Sequence, residues 1–357
     1  MTALTKAQLV KSLAREVGFD LVGITSADPV RRADYYRDWL ERGHHGQMRY
    51  LERNVHFRAE PAGLVPGAQS IVCVGLSYGR PGEWGDDAGR TWPGHDAPTG
   101  YVSQYARGRD YHLVMGKMLA ALVQRLRERL GEPFRAREFV DAAPLLEREL
   151  AARAGLGWIG KNTCLITSEY GSYVFLGELL TTLKLEVDTP GEGTCGSCTR
   201  CMDACPTGAL NGPRELDAGR CIAYLTIEHR GVVADDFHAA IGDHVFGCDV
   251  CQAVCPYNRG SAGATNGELC RERLTERVNL LSLLGLRSGA YRRLTRGTAG
   301  ARATRNMWRR NAAIAAGNAA GVGGDVVAVL ESVREDADEG VREAARASLR
   351  RLSEGDA

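Results

Sequence analysis

Cys195-Gly-Ser-Cys198-Thr-Arg-Cys201-Met-Asp-Ala-Cys205-Pro206 spaces four thiols by two, two and three residues and ends on Cys-Pro. Three thiolates so spaced close around one face of a [4Fe–4S] cubane, and the fourth, turned away at the proline, serves a second cluster. Cys248-Asp-Val-Cys251-Gln-Ala-Val-Cys255-Pro256 repeats the Cys-Pro ending, and Cys221 upstream supplies its missing member. Crossed ligation then assigns Cys195, Cys198, Cys201 and Cys255 to one cluster. Cys221, Cys248, Cys251 and Cys205 hold the other. Two Cys₄ zinc sites are the alternative, but zinc ribbons use C-x₂-C knuckles and no four-cysteine run ending in Cys-Pro.

This spacing is that of a bacterial ferredoxin, so residues 189–270 read as a ferredoxin-like two-[4Fe-4S] module. Eight of eleven cysteines are thereby used. Of the rest, Cys73 sits in an apolar strand and reads as core. Cys164, beside Lys161-Asn162-Thr163, reads as buried, and nothing near Cys270 gives it a role.

Residues 1–188 read as an α+β domain built on a sheet. Leu9, Leu13 and Val17 give Thr5 to Val17 helical spacing, with Gly18 as the stop. Leu21–Ile24 and Ser70–Leu76 read as strands. The Gly-, Pro-, Asp- and Trp-rich stretch from Gly79 to Gly100 reads as a surface loop. Tyr111 to Leu130 is an amphipathic helix closed by Gly131, with Met115 and Met118 as core. Phe139-Val140 ends a strand, Pro144 starts a helix from Leu145 to Ala154, and Tyr173–Leu183 is a further strand. Residues 271–357 are helical, with segments 304–318, 325–335 and 341–352 resembling one or two HEAT-type repeats that must lean on the preceding domain.

At 357 residues the chain holds two or three domains. Its formal net charge of +1 points to no partner, so attraction to nucleic acid requires a local patch. No stretch approaches the roughly 20 apolar residues of a membrane span. Met1 to Val10 has no signal-peptide core, and Arg31-Arg32 lacks the apolar run of an export signal. A cytoplasmic location is expected.

Two clusters beside a large extra domain imply an enzyme, since a carrier needs only the clusters. No G-x-G-x-x-G fingerprint announces a flavin or nicotinamide. Asp110-Tyr-His112-Leu-Val-Met-Gly116 carries one residue too many for the D-x-H-x-x-G pattern in which histidine ligates cobalamin cobalt. Asp141, at a strand end, reads equally as a helix cap or as a pocket carboxyl whose desolvation raises its pKa for proton donation.

Tyr105-Ala-Arg-Gly-Arg-Asp-Tyr-His112, Asp141-Ala-Ala-Pro-Leu-Leu-Glu-Arg148, Gly155-Leu-Gly-Trp-Ile-Gly-Lys-Asn-Thr163 and Cys221-Ile-Ala-Tyr-Leu-Thr-Ile-Glu-His-Arg230 resemble the epoxyqueuosine reductase family, as does Arg309 to Asn318. The cysteine runs fall in the same order, and the resemblance spans nearly the whole chain. It implies a cobalamin-binding domain akin to that of reductive dehalogenases, and reduction of epoxyqueuosine to queuosine at the tRNA wobble position. The clusters would feed electrons singly to base-off cobalamin, and Asp141 matches the family's proton donor. Arg58, Gln104, Thr163, Val174, Ala223, Asp249 and Val250 match its cobalamin pocket, Ala223 standing where serine is expected. Arg230 is placed near the tRNA.

Between Arg287 and Arg310 lie eight arginines and no acidic residue. Arg302, Arg305, Arg309 and Arg310, with Trp308 nearby, are expected along one helix side facing RNA phosphates. A flavodoxin or ferredoxin is the expected type of electron donor, and a monomer the default assembly. The rival readings are a plain electron carrier, a small-molecule reductive dehalogenase and an RNA-binding protein with structural clusters.

Overall fold

The computed structural model describes residues 4–80, 98–319 and 324–355. Most of the loop expected between Gly79 and Gly100 lies outside these residues. α1 (Lys6–Val17) is bounded by a reciprocal cap: Thr5 Oγ1 accepts from the Gln8 N–H at 3.3 Å and the Gln8 side chain accepts from the Thr5 N–H at 2.9 Å. Gly18 ends it at φ 107°, a conformation that costs a residue without Cβ little.

Along the chain follow β1 (Leu21–Ser26), β2 (Ser70–Ser77), β3 (Thr99–Val102), α2 (Tyr111–Leu130), β4 (Ala136–Phe139), α3 (Glu147–Arg153) and β5 (Val174–Thr181). α4 (Ile222–Ile227), β6 (His244–Phe246), β7 (Arg277–Asn279), α5 (Ser288–Thr295), α6 (Arg305–Ala316), α7 (Gly324–Val333) and α8 (Glu339–Gly355) complete the elements that matter here. The main sheet runs β1-β2-β5-β4, antiparallel throughout. A second sheet, β6-β3-β7, pairs β6 parallel and β7 antiparallel to β3.

β2 is buried along its whole length because both faces of the main sheet are covered. Val72, Val74 and Leu76 join a core with Leu13 of α1 and Met115, Leu119 and Leu122 of α2. Ile71 and Cys73 point the other way, toward Leu150 and Ala151 of α3. Met115 and Cys73 are thus core, as their patterns suggest. A third core brings Ile222, Leu225 and Phe246 together with Leu280, Trp308 and Leu330, so it draws on residues from both sides of position 270. Phe246 and Trp308 stack there with ring centroids 5.1 Å apart. No helix among the described residues is long and apolar enough to cross a membrane.

One expected boundary shifts. The helix after Pro144 starts at Glu147, its N-cap position is Leu146, and Asp141 caps nothing. Asp141 adopts φ 55°, and the bonds from Ala142 N–H to Val140 O and from Leu145 N–H to Ala143 O use the intervening residues in tight bends.

Candidate active site and cluster-binding region

The cysteines gather as two fours. Cys201 lies within electrostatic reach of Cys195, Cys198 and Cys255. Cys248 and Cys251 lie within reach of Cys221, and Cys205 neighbours both Cys221 and Cys248. These proximities are compatible with the crossed partition read from spacing. Among the described residues no three His, Cys, Asp or Glu side chains converge as a single-ion site.

The loop after α3 docks on both sets. Lys161 Nζ donates to Gly196 O at 2.7 Å and Cys198 O at 2.9 Å, and the Lys161 N–H points at Cys195 Sγ at 3.4 Å. Asn162 Nδ2 donates to Cys251 O at 3.4 Å. Cys164 meets the Cys251 thiol. Sequence reasoning placed Cys164 in a generic interior; its position beside a cluster cysteine depends on how the loop folds back. Cys270 is exposed.

Asp249, next to Cys248, is 2 % exposed. It accepts from Tyr101 OH at 2.8 Å, Ser103 OH at 2.5 Å and the Gln104 N–H at 2.8 Å. That ties the second sheet to the cysteine region and brings Gln104 and Asp249 together. From there an aromatic seam runs toward Asp141. Tyr78 packs on Phe175 at 4.3 Å, Phe175 stacks on Tyr111 at 4.2 Å, and Tyr111 reaches Tyr105 at 6.5 Å. Tyr105 feels both Asp141 and Asp249, so the two carboxylates flank one zone.

Asp141 stands at that zone with its side chain 58 % exposed. Tyr111 OH donates to its Oδ2 at 2.6 Å, and His112 Nε2 lies 3.5 Å from the same oxygen. His112 Nδ1 is 2.8 Å from Asp110 Oδ1, and Asp110 caps α2. The hydrogen bond to Asp110, then that to Asp141, pushes the His112 pKa up to about 9. The raised carboxyl expected at Asp141 is not found in this state. His112 first, and then Tyr111, hold its pKa below the ordinary value against desolvation. The raised group lies behind it: burial pushes Glu147 up to about 7. A glutamate inside the apolar run Val174–Thr181, Glu178, was the sequence signal for this second carboxyl site.

The remaining predicted positions divide. Thr163 holds φ 66°, rare for a β-branched residue, and Arg148 Nη1 donates to its carbonyl at 2.6 Å. Val174 opens β5, Ala223 lies in the first turn of α4, and Val250 follows Asp249. Arg58 is turned aside, donating to Arg53 O at 2.7 Å with its guanidinium over the Tyr36 ring. Among the described residues, two buried polar atoms of the zone, Gln104 Nε2 and Tyr173 OH, have no hydrogen-bond partner. Groups of that kind are met by ordered water or by a bound polar ligand.

The expected arginine face is corrected. Arg310 is 1 % exposed and donates to Leu225 O at 2.6 Å, Gly231 O at 2.8 Å and His229 O at 2.9 Å. Burial pushes its pKa down to about 10. Trp308 is buried beside it. Arg309 pairs with Asp336 at 2.6 Å, and Arg305 donates to Asn306 Oδ1 at 3.0 Å. Arg302 lies nearer the site, bidentate to Glu228 at 2.6 and 3.0 Å. Arg287, Arg292, Arg293 and Arg296, around α5, are exposed, as is Arg302. Arg230 is exposed, its N–H donating to Gln47 Oε1 at 2.8 Å.

Comparison with known proteins adds the following. Residues 194–258 match a family model described as a 4Fe-4S double cluster binding domain. Residues 58–142 match one described as Epoxyqueuosine reductase QueG, DUF1730. A Xanthomonas campestris pv. campestris epoxyqueuosine reductase is 43% identical over 338 residues, covering 94% of this chain and 93% of that protein. A Bacillus subtilis epoxyqueuosine reductase structure, with its catalytic aspartate loop swung out of the active site, superposes with TM-score 0.85 and 30% identity over 96% of this chain and 89% of that one. An epoxyqueuosine reductase crystallised with an epoxyqueuosine-modified tRNA-Tyr stem loop gives TM-score 0.81 and 30% identity, covering 97% and 98%.

Proposed function

The chain belongs to the epoxyqueuosine reductase family, and from that premise we propose that it uses two [4Fe–4S] clusters, a cobalamin and Asp141 to convert epoxyqueuosine in tRNA to queuosine. The relative crystallised with a modified stem loop supports tRNA as the substrate here. Loss of the epoxide oxygen as water requires two electrons and two protons.

Cys195, Cys198, Cys201 and Cys255 hold one cluster, and Cys205, Cys221, Cys248 and Cys251 the other. Cobalamin would supply a reduced cobalt centre able to act on an epoxide carbon. Gln104, Thr163, Val174, Ala223, Asp249 and Val250, with Arg58 after side-chain movement, would hold it, and the unpartnered Gln104 Nε2 and Tyr173 OH favour a polar ligand in this zone.

The observation that carries the reading is the Asp141 triad with Tyr111 and His112. At neutral pH His112 is an imidazolium and Asp141 a carboxylate, so the pair already stores one proton. A docked nucleotide excludes water from the exposed Asp141, strengthening the desolvation that favours its neutral form. The proton moves from His112 Nε2 to Asp141 Oδ2, and Asp141 delivers it to the departing oxygen. An unprotonated alkoxide leaves poorly, so this proton lowers the barrier to its departure.

A whole tRNA reaches the site past Arg230 and the arginines about α5, which take over the phosphate-binding role first given to α6; that HEAT-like tail then serves as their support. A flavodoxin or ferredoxin type of donor and a cytoplasmic monomer complete the reading.

The test is anaerobic turnover of the cluster- and cobalamin-loaded protein with epoxyqueuosine-bearing tRNA and a strong chemical reductant, followed by mass spectrometry of the digested nucleosides. Queuosine should form with wild type and scarcely with Asp141→Asn. No conversion by protein with intact clusters and bound cobalamin would sink the assignment.

A further inference from the structure

The Asp141 turn is held by groups the reaction itself does not call for. Glu147, opening α3, accepts the Asp141 N–H on Oε1 at 2.8 Å. Behind it Glu178 of β5 is 0 % exposed, in register between Cys73 of β2 and Phe139 of β4. Among the described residues no amide, hydroxyl or guanidinium reaches either Glu178 oxygen. Its neighbour is the Glu147 carboxyl. Two carboxyls that meet where one of them is fully buried cannot both be ionised, and they hydrogen-bond to each other only by keeping a proton between them.

The charged and titratable groups facing this pair are Asp141 on the turn, Cys73 on β2, Tyr111 on α2 and Arg148 on α3, with Arg153 acting on Cys73 beside it. Neither arginine neutralises it. Arg153 is spent on Thr25 Oγ1 at 2.8 Å and Ser26 O at 2.6 Å, and Arg148 on Thr163 O. Consecutive residues of one helical turn, Glu147 and Arg148, therefore hold Asp141 and Thr163. These are two of the four non-glycine residues with positive φ among the described residues. Such conformations persist only where the surroundings over-determine them.

We propose that Glu147 and Glu178 are positioning residues, a carboxyl pair sharing a proton that latches the Asp141 turn in its left-handed, site-facing conformation. The proposal rests on Asp141 being the proton donor, and adds what keeps the donor in place. Glu147 supplies the acceptor, and Glu178 supplies the proton that lets a carboxyl remain there without an opposing cation.

The experiment uses the loaded enzyme with Glu147→Ala, Glu147→Gln and Glu178→Gln, and Asp141→Asn as reference. Hydrogen exchange over residues 140–146 reads the latch without turnover. Glu147→Ala should speed exchange of the Asp141 amide at least about tenfold and slow single-turnover conversion about tenfold, with KM for tRNA little changed. Glu147→Gln, which keeps an acceptor and donates to Glu178 itself, should restore both. Glu178→Gln should erase from the pH–rate profile the ionisation near 7 assigned to the pair. Unchanged exchange in folded Glu147→Ala overturns the latch. If that variant does not fold, persistence of the ionisation in Glu178→Gln overturns the shared proton. Full turnover by Asp141→Asn would instead remove the donor reading and leave the exchange result standing.

Discussion

Asp249 is 2 % exposed and accepts from two hydroxyls and a backbone N–H, whereas the Asp141 side chain is 58 % exposed and faces a phenol and an imidazolium. Both flank the same zone. Asp249 is engaged by three donors that the fold fixes around it. Asp141 has partners that titrate, a strained backbone and room for another molecule. A carboxylate saturated by fixed donors organises structure; one left open beside a charged histidine is available for chemistry.

The largest effects should separate the two. Asp141→Asn is expected to slow conversion by roughly 10²–10⁴-fold while the unfolding midpoint barely moves. Asp249→Ala should act first on stability, losing roughly 3 kcal/mol because Tyr101 OH, Ser103 OH and the Gln104 N–H are stranded in the interior, and on turnover only through a weakened cofactor pocket. Chemical unfolding and single-turnover assays on both variants check this. A stable Asp249→Ala protein with lost turnover would erase the contrast.

His112 sharpens it. Its folded pKa, about 9, lies above its ordinary 6.5, raised by Asp110 and Asp141. Its stabilising pairings are therefore complete below about 6.5 and fade as pH rises through about 9. Asp141 is displaced downward, so its share is present above the ordinary carboxylate range and lost as pH falls. His112→Gln should flatten the decline in stability between pH 6.5 and 9 and slow conversion about tenfold at neutral pH. Thermal melts and a pH–rate profile read both. A wild-type profile flat to pH 10 would remove the imidazolium from the mechanism.

Much of this was legible because it is written in spacing. The double-cluster cysteine motif, α2 from Tyr111 to Leu130 and the strand of Cys73 depend on near neighbours or on fixed motif geometry. The state of Asp141 was not legible, because it depends on Tyr111 and His112, thirty residues upstream, arriving at the same oxygen. Pro144 misled as a helix start because the left-handed Asp141 sends the chain through two tight bends before Glu147. The arginines misled for another reason. Helical spacing shows which residues share a face, but not whether that face meets solvent or the carbonyls of α4 and the loop after it.

The arginines repeat the contrast with the smallest expected effect. Arg310 is buried and saturated by three carbonyls, like Asp249; Arg292 and Arg293 on α5 are open, like Asp141. Each phosphate contact by an open arginine releases counterions and contributes about 0.7 to the salt slope for a single-stranded nucleic acid. Arg292→Gln with Arg293→Gln should lower the slope of log K against log salt by about 1.4 and weaken tRNA binding several-fold at physiological salt, with clusters and stability intact. Arg309→Gln, which breaks an ion pair to Asp336 on the far side of the contrast, should leave the slope alone and cost stability instead. Titrations by fluorescence anisotropy at four salt concentrations distinguish the two. If Arg309→Gln lowers the slope and the α5 pair does not, the RNA lies along α6 after all, and exposure in the free protein is a poor guide to which arginines meet phosphate.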